Sequence, residues 1–148
     1  MSELIPIASD HAGFEMRKRL AAELRKLGYE PQEVGAAAPD TPDDYPDSAH
    51  QVARQVSGGA VKRGIMLCGS GIGMDMVANR YRGVRAALAW MPEIGAMSRK
   101  HNDSNVLVLP ARFMSHDDGV ATMKAWLDTK FEGGRHERRV KKIEPEGT

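Results

Sequence analysis

Residues 64–79 read GIMLCGSGIGMDMVAN, and the way that stretch divides decides the fold. Gly64 to Leu67 is a short apolar run of the kind that fills a buried parallel strand. Cys68 to Gly73 is a glycine-rich turn, and a helix should open within or just after it, with Ile72, Met76 and Asn79 on one face. Strand, glycine turn and helix in that order begin a βαβ unit.

The same alternation runs outward on both sides. Leu4 to Ala8 is a first strand, Met16, Leu20, Leu24 and Leu27 recur at helical spacing until Gly28, and Glu30 to Val34 is a short second strand. Residues 35–47, with Pro39, Pro42 and Pro46 among Asp and Gly, form the longest loop, after which Asp47 caps a helix carrying Ala49, Val52, Ala53 and Val56. Val84 to Ala89 supplies a fourth strand and Met91 to Lys100 a helix, where Trp90, Ile94, Met97 and His101 form an apolar stripe that His101 closes. Val106 to Leu109 gives a fifth strand ending at Pro110, Val120, Met123 and Leu127 mark another helix, and Arg135 to Lys142 (RHERRVKK) a last, charged one.

The pattern predicts a single doubly wound α/β domain over 1–148 with a five-stranded parallel sheet and a C-terminal arm or helix from about 132 to 148. It leaves the strand order open. Ligands of such sheets bind beyond the carboxyl ends of the strands, where Asp10, His11, Cys68 to Gly73, Trp90, Met91 and Arg112 fall.

The chain has 148 residues, 41% hydrophobic and 28% charged, with 21 Lys+Arg against 20 Asp+Glu. A formal net charge of +1 supplies no strong basic field, which argues against nucleic acid or an anionic membrane as partner and leaves small molecules as the default ligands. The single cysteine excludes an intramolecular disulfide and a multi-cysteine zinc site and fits a reducing compartment. The first residues lack the charge and apolar pattern of an export signal, and no run of about 18 apolar residues occurs, so a cytoplasmic location is expected.

The glycine turn either presents successive N–H groups to an anion (a phosphate, a carboxylate or a developing oxyanion) or is merely a tight connection. From Gly69 and Gly71 the sixth position is Met74, which fails the dinucleotide fingerprint, and no Gly-Lys-Ser/Thr completes a P-loop. Met74 also stands where a cysteine phosphatase loop needs arginine. Cys68, between a strand end and a helix start, is expected to have a lowered pKa and to act as nucleophile or base; the bland alternative is a small core hydrophobe. Asp10 and His11 suit proton transfer and anion contact, or equally a helix cap with an exposed imidazole. His101 and Asn102 end a helix, where a cationic histidine suits the macrodipole without any chemistry. Arg112, and Arg135 with Arg139 four residues apart, offer charge-assisted contacts to a phosphate or simply a solvated face.

Taken together, SDHAG (9–13), DYPD (44–47), CGSGIGM (68–74), ANRYRGVRAAL (78–88), HNDSNVLVLPAR (101–112) and FEGGRHERRV (131–140) resemble the ribose-5-phosphate isomerase B family, which also includes galactose-6-phosphate and allose-6-phosphate isomerases. The resemblance implies metal-free, cofactor-free interconversion of aldose and ketose phosphates through a cis-enediolate. It further implies a Rossmann-like three-layer fold and a homodimer, sometimes a tetramer, whose active sites are shared between subunits. It gives Cys68 the role of base, backbone N–H groups of Gly69, Gly71, Ile72 and Gly73 that of anion hole, and the Ser70 hydroxyl that of proton relay. Asp10 and His101 match the ring-opening groups, His11, Arg112, Arg135 and Arg139 the phosphate contacts, and Asn102 a further substrate contact. Some members use a glutamate after the glycine turn as base; the neighbourhood here is Met74-Asp75, and Asp75 is shorter and lies a residue further into the helix, which favours Cys68. Ribose 5-phosphate is the first expectation for the substrate, with tetrose 4-phosphates and hexose 6-phosphates as alternatives. HNDSN, where many relatives read HNNAN, bears on fine specificity. A non-catalytic sugar-phosphate binding module and a cysteine hydrolase are the rival classes.

Overall fold

The apolar runs of five or six residues that form the three central strands are covered on both faces, whereas the two edge strands are half-exposed. The computed structural model describes residues 2–147, so the expected outer limits at 1 and 148 lie outside the described residues. β1 (Leu4–Ser9), β2 (Glu30–Gly35), β3 (Gly64–Cys68), β4 (Ala86–Leu88) and β5 (Val106–Pro110) make one sheet. The order is β2-β1-β3-β5-β4, with every pairing parallel.

Side chains alternate across that sheet with the period of two that strands impose. Ile5, Ile7, Ile65, Leu67, Leu107 and Leu109 point to one face, under α1 (Phe14–Lys26), α4 (Pro92–Asn102) and α5 (His116–Asp128). Ala8, Met66, Cys68, Val106 and Val108 point to the other, under α2 (Tyr45–Ser57) and α3 (Ile72–Ala78). Trp126 of α5 is fully buried and donates its indole N–H to Ser104 Oγ at 2.9 Å. A short α6 (Arg135–Val140) packs on the end of α4. The doubly wound expectation therefore holds, with three helices on one face against two on the other among the described residues.

Large apolar side chains of the two helices next to β4 nonetheless remain uncovered. Ile72 (50% exposed) and Met76 (62%) of α3 lie in solvent, as do Trp90 (55%) and Met97 (49%). The stripe expected on α4 thus faces largely outward, and its buried positions are Gly95 and Ser98. Likewise, Ile72, Met76 and Asn79 line the outer face of α3, while Met74 and Ala78 turn inward.

Other boundaries move for identifiable reasons. α2 begins at Tyr45, its N-cap is Asp44, not Asp47, and Pro46 sits in the first turn, where a missing N–H costs nothing. β4 spans three residues, not six, as an edge strand with one neighbour. The last helix stops at Val140, short of Lys142. A 3-10 turn, His11–Gly13, intervenes between β1 and α1.

Candidate active site at the carboxyl edge of the sheet

The chain leaves β1 for β2 on one side and β3 for β4, beyond β5, on the other, so β1 and β3 flank a topological switch point, where parallel sheets hold their ligands. Asp10 follows β1 and Cys68 ends β3. The Asp10 N–H donates to Leu67 O at 3.3 Å, which fixes the two strand ends side by side. The Asp10 carboxylate accepts from Gly13 N–H at 3.1 Å and is 8% exposed. The capping alternative is thus realised, yet the same carboxylate lies close enough to Cys68 to oppose its ionisation.

Cys68 is 5% exposed and lies on the α2/α3 face. Burial pushes its thiol above the ordinary range, and the negative Asp10 adds to this; backbone N–H groups of Met74, Gly71 and Gly73 pull the other way. The expected lowering of the thiol pKa is corrected: the helix start does address the sulfur, but desolvation wins. The residue is therefore a protonated thiol at rest, placed where donors can hold its thiolate.

The turn is built for close approach. Gly71 has φ +77, and a Cβ there would meet Leu88 Cδ1 at 2.5 Å. At Gly73 a Cβ would meet the Tyr45 ring at 2.5 Å, so Tyr45 at the start of α2 lies directly over the turn. Ser70 Oγ accepts from Ile72 N–H at 3.2 Å, leaving its own proton free to donate. The Arg112 side chain lies against Gly69, and the Arg112 backbone N–H donates to Gly69 O at 3.0 Å. Arg112 is exposed, and its guanidinium has no side-chain partner among the described residues.

Three supporting residues escaped the sequence reading. Asp43 Oδ1 accepts from the His11 backbone N–H at 2.8 Å and lies 3.1 Å from its Nδ1, turning Nε2 outward. Arg17, 3% exposed, donates to Ser9 Oγ at 3.0 Å, Val34 O at 3.0 Å and Ala36 O at 2.8 Å, and pairs with Glu33 at 3.2 Å, bracing β1, β2 and the loop after it. Its position on the Met16–Leu20–Leu24 face of α1 was the available signal. The third, His136, lies at the other end of the molecule.

Asp75, one turn into α3, has a buried Oδ1 without a hydrogen-bond partner, and desolvation raises its pKa to about 6. A folded-state pKa above the unfolded value means that the folded chain binds the proton more tightly, so stability falls as pH rises from about 4 to about 6. Asp75→Asn is expected to stabilise by about 1–2 kcal/mol at pH 7, discounting for partial exposure, with the gain vanishing below about pH 4. Thermal melts of both proteins at the two pH values check this.

His101, Asn102, Arg135 and Arg139 are not brought to Cys68. α4 starts beyond the carboxyl end of β4 and runs back, so His101 and Asn102 lie beside the amino end of β5. A strand the length of β5 separates the two ends by about 15 Å. The Glu132 N–H donates to Lys100 O at 3.1 Å, and α6 holds exposed Arg135 and Arg139 at that same end. There His101 and His136 stack, ring centroids 4.4 Å apart and planes 16° from parallel. Glu132 completes a group whose ligand atoms lie within 4.8 Å of one another. A metal bonds in the plane of each imidazole, and near-parallel rings lying face to face share no such point, so joint ligation requires one ring to turn.

The donors, thiol and carboxylate at the first end suit abstraction of a carbon-bound proton next to a carbonyl, with the oxyanion met by backbone N–H groups. A family model described as Ribose/Galactose Isomerase matches residues 5–143. The chain is 38% identical to ribose-5-phosphate isomerase B of Escherichia coli, over 94% of this chain and 93% of that one. It is similar to the crystal structure of a ribose 5-phosphate isomerase from Thermotoga maritima, with TM-score 0.91 and 41% identity over 97% of this chain and 98% of that one. It is also similar to ribose-5-phosphate isomerase B from Mycoplasma genitalium with bound ribulose 5-phosphate, with TM-score 0.92 and 39% identity over 97% and 95%.

Proposed function

The chain belongs to the Ribose/Galactose Isomerase family and is an aldose–ketose isomerase, and from that premise we propose that it interconverts ribose 5-phosphate and ribulose 5-phosphate through a cis-enediolate. The observation that carries the assignment of roles is the Cys68 thiol at the end of β3, faced by N–H groups of the α3 start and flanked by Asp10. Cys68, as thiolate, takes the proton from C2 of the aldose and returns it to C1. The charge that builds on oxygen meets the backbone N–H groups of Gly69, Gly71, Ile72 and Gly73, a reading supported by the Gly71 and Gly73 groups that already address the Cys68 sulfur; Ile72 N–H must exchange its bond to Ser70 Oγ for the substrate oxygen. Ser70 moves the proton between the two oxygens. Asp10 and His101 open the sugar ring, Asn102 contacts the substrate, and His11, Arg112, Arg135 and Arg139 hold the phosphate.

In one chain these groups lie at opposite ends of the sheet, so the working site is made by two copies, a homodimer or a tetramer of such dimers. Asp10, His11, Cys68 to Gly73 and Arg112 of one meet the partner subunit's His101, the partner subunit's Asn102, the partner subunit's Arg135 and the partner subunit's Arg139. The exposed Ile72, Met76, Trp90 and Met97 support such an arrangement. The lone free thiol supports a cytoplasmic setting.

Subunit mixing tests the shared site. Cys68→Ala and His101→Ala chains are each inactive on ribose 5-phosphate. Co-refolded, half of the dimers pair one of each, and each such dimer has one site with an intact Cys68 and His101. Activity is expected to return to about a quarter of wild type. No recovery, with mixed dimers demonstrated by tag pull-down, overturns the shared site.

A further inference from the structure

α6 is six residues long, too short to persist by itself, so something must fasten it. Its arginines, Arg135, Arg138 and Arg139, face solvent, and the one buried residue is His136, 7% exposed. The backbone tie from Glu132 N–H to Lys100 O fastens the segment that leads into it, and within the helix the His136 ring lies flat on His101. Its Nε2 stands 3.7 Å from Oε1 of an exposed Glu132, beyond hydrogen-bond range, so the stack and not a polar bond defines its place. Burial, then the nearby His101 and Arg135, push the His136 imidazole below its ordinary range, against the opposing pull of Glu132, so at neutral pH it is an uncharged flat ring.

Resting on the reading of His101 as a ring-opening group, we infer that His136 is a positioning residue that holds the His101 imidazole in the plane from which it serves the sugar ring oxygen. An imidazole free to rotate about its last torsion presents a nitrogen to the substrate only part of the time, and one held by a stacked ring does so continuously.

The chemistry supplies a test that separates this role from proton abstraction. Ribose 5-phosphate is mainly a furanose: its C1–O4 bond must break, O4 gaining a proton as the C1 hydroxyl loses one, before C2 can be deprotonated. Ribulose 5-phosphate, with O5 esterified, closes no five-membered ring, so exchange of its C1 hydrogen with solvent requires only the base and the oxyanion donors. His136→Ala is therefore expected to lower kcat on ribose 5-phosphate about 10–100-fold while leaving deuterium incorporation at C1 of ribulose 5-phosphate within about twofold. His136→Phe, which keeps a flat ring and no proton, is expected to restore ribose 5-phosphate turnover to within about threefold of wild type. Unchanged turnover in His136→Ala, or a His136→Phe protein as impaired as His136→Ala, overturns the inference. So does a parallel fall of exchange and turnover with a raised KM, the signature of a detached α6. Absence of exchange in the wild-type enzyme overturns the isomerase reading itself, and is visible before any variant is made.

Discussion

Cys68→Ala is expected to abolish isomerisation and solvent-proton exchange together, each falling by about 10²–10⁴-fold, the contribution of a single positioned base. Loss of both follows because the same sulfur removes the proton in either direction, whereas a group needed only for ring opening affects the aldose alone. The buried thiol sits above its ordinary range, and the sign of the pH dependence follows from that. The active form is the deprotonated one, so kcat/KM for the open-chain ketose rises with pH through neutrality and levels off only above the usual thiol range. A higher pKa also makes the rare thiolate a stronger base toward carbon. Proton NMR in deuterated buffer reads exchange, and a ketose-specific colour reaction reads isomerisation. Undiminished exchange by the alanine variant would remove Cys68 from the mechanism. A covalent adduct on Cys68 detected by mass spectrometry during turnover would return it to a nucleophile's role.

Arg17→Met is expected to have the largest effect on stability, about 3–5 kcal/mol, the range found when one partner of a buried charged network is removed. The reason is geometric: methionine fills much of the volume but leaves Ser9 Oγ, Val34 O and Ala36 O, each within 3.0 Å of the guanidinium, without donors in a closed space. For a domain of this size the loss corresponds to a fall in Tm on the order of 10 °C. Because Ser9 precedes Asp10 and Ala36 opens the loop that carries Asp43, the surviving folded protein should also bind sugar phosphate more weakly, with KM rising more than kcat falls. A loss of unfolding free energy below about 1 kcal/mol in denaturant titrations would show that water replaces the arginine there.

Both residues illustrate what the chain reveals on inspection and what it conceals. The central strands were legible because β1, β3 and β5 are largely buried apolar runs, and the glycine turn was legible because three glycines in five residues directly follow one of them. The start of α2 was obscured by Pro46, which marks a loop by propensity and a first helical turn by geometry. The thiol's direction of shift was hidden because a helix start is local, whereas the burial opposing it comes from Ala8, Met66 and Met74 packed around it. The separation of His101 from Cys68 was invisible for a similar reason: residue spacing fixes which end of its own helix a side chain occupies, but not which end of the sheet that helix end lies beside. His136 read as one more polar residue in RHERRVKK until α6 was placed against α4.

The stretch from Cys68 to Met76 has two employers. Its first turn aims amide hydrogens at the Cys68 sulfur, and its outer side, through Ile72 and Met76, is a greasy flank open to water. Mutational drift along α3 is therefore constrained twice at neighbouring positions: a change that makes the lone chain more water-loving also tilts the amides, and one that retunes the amides also reshapes the flank. On the proposed shared site, ancestry in this lineage is expected to preserve subunit pairing and chemistry as one heritable unit.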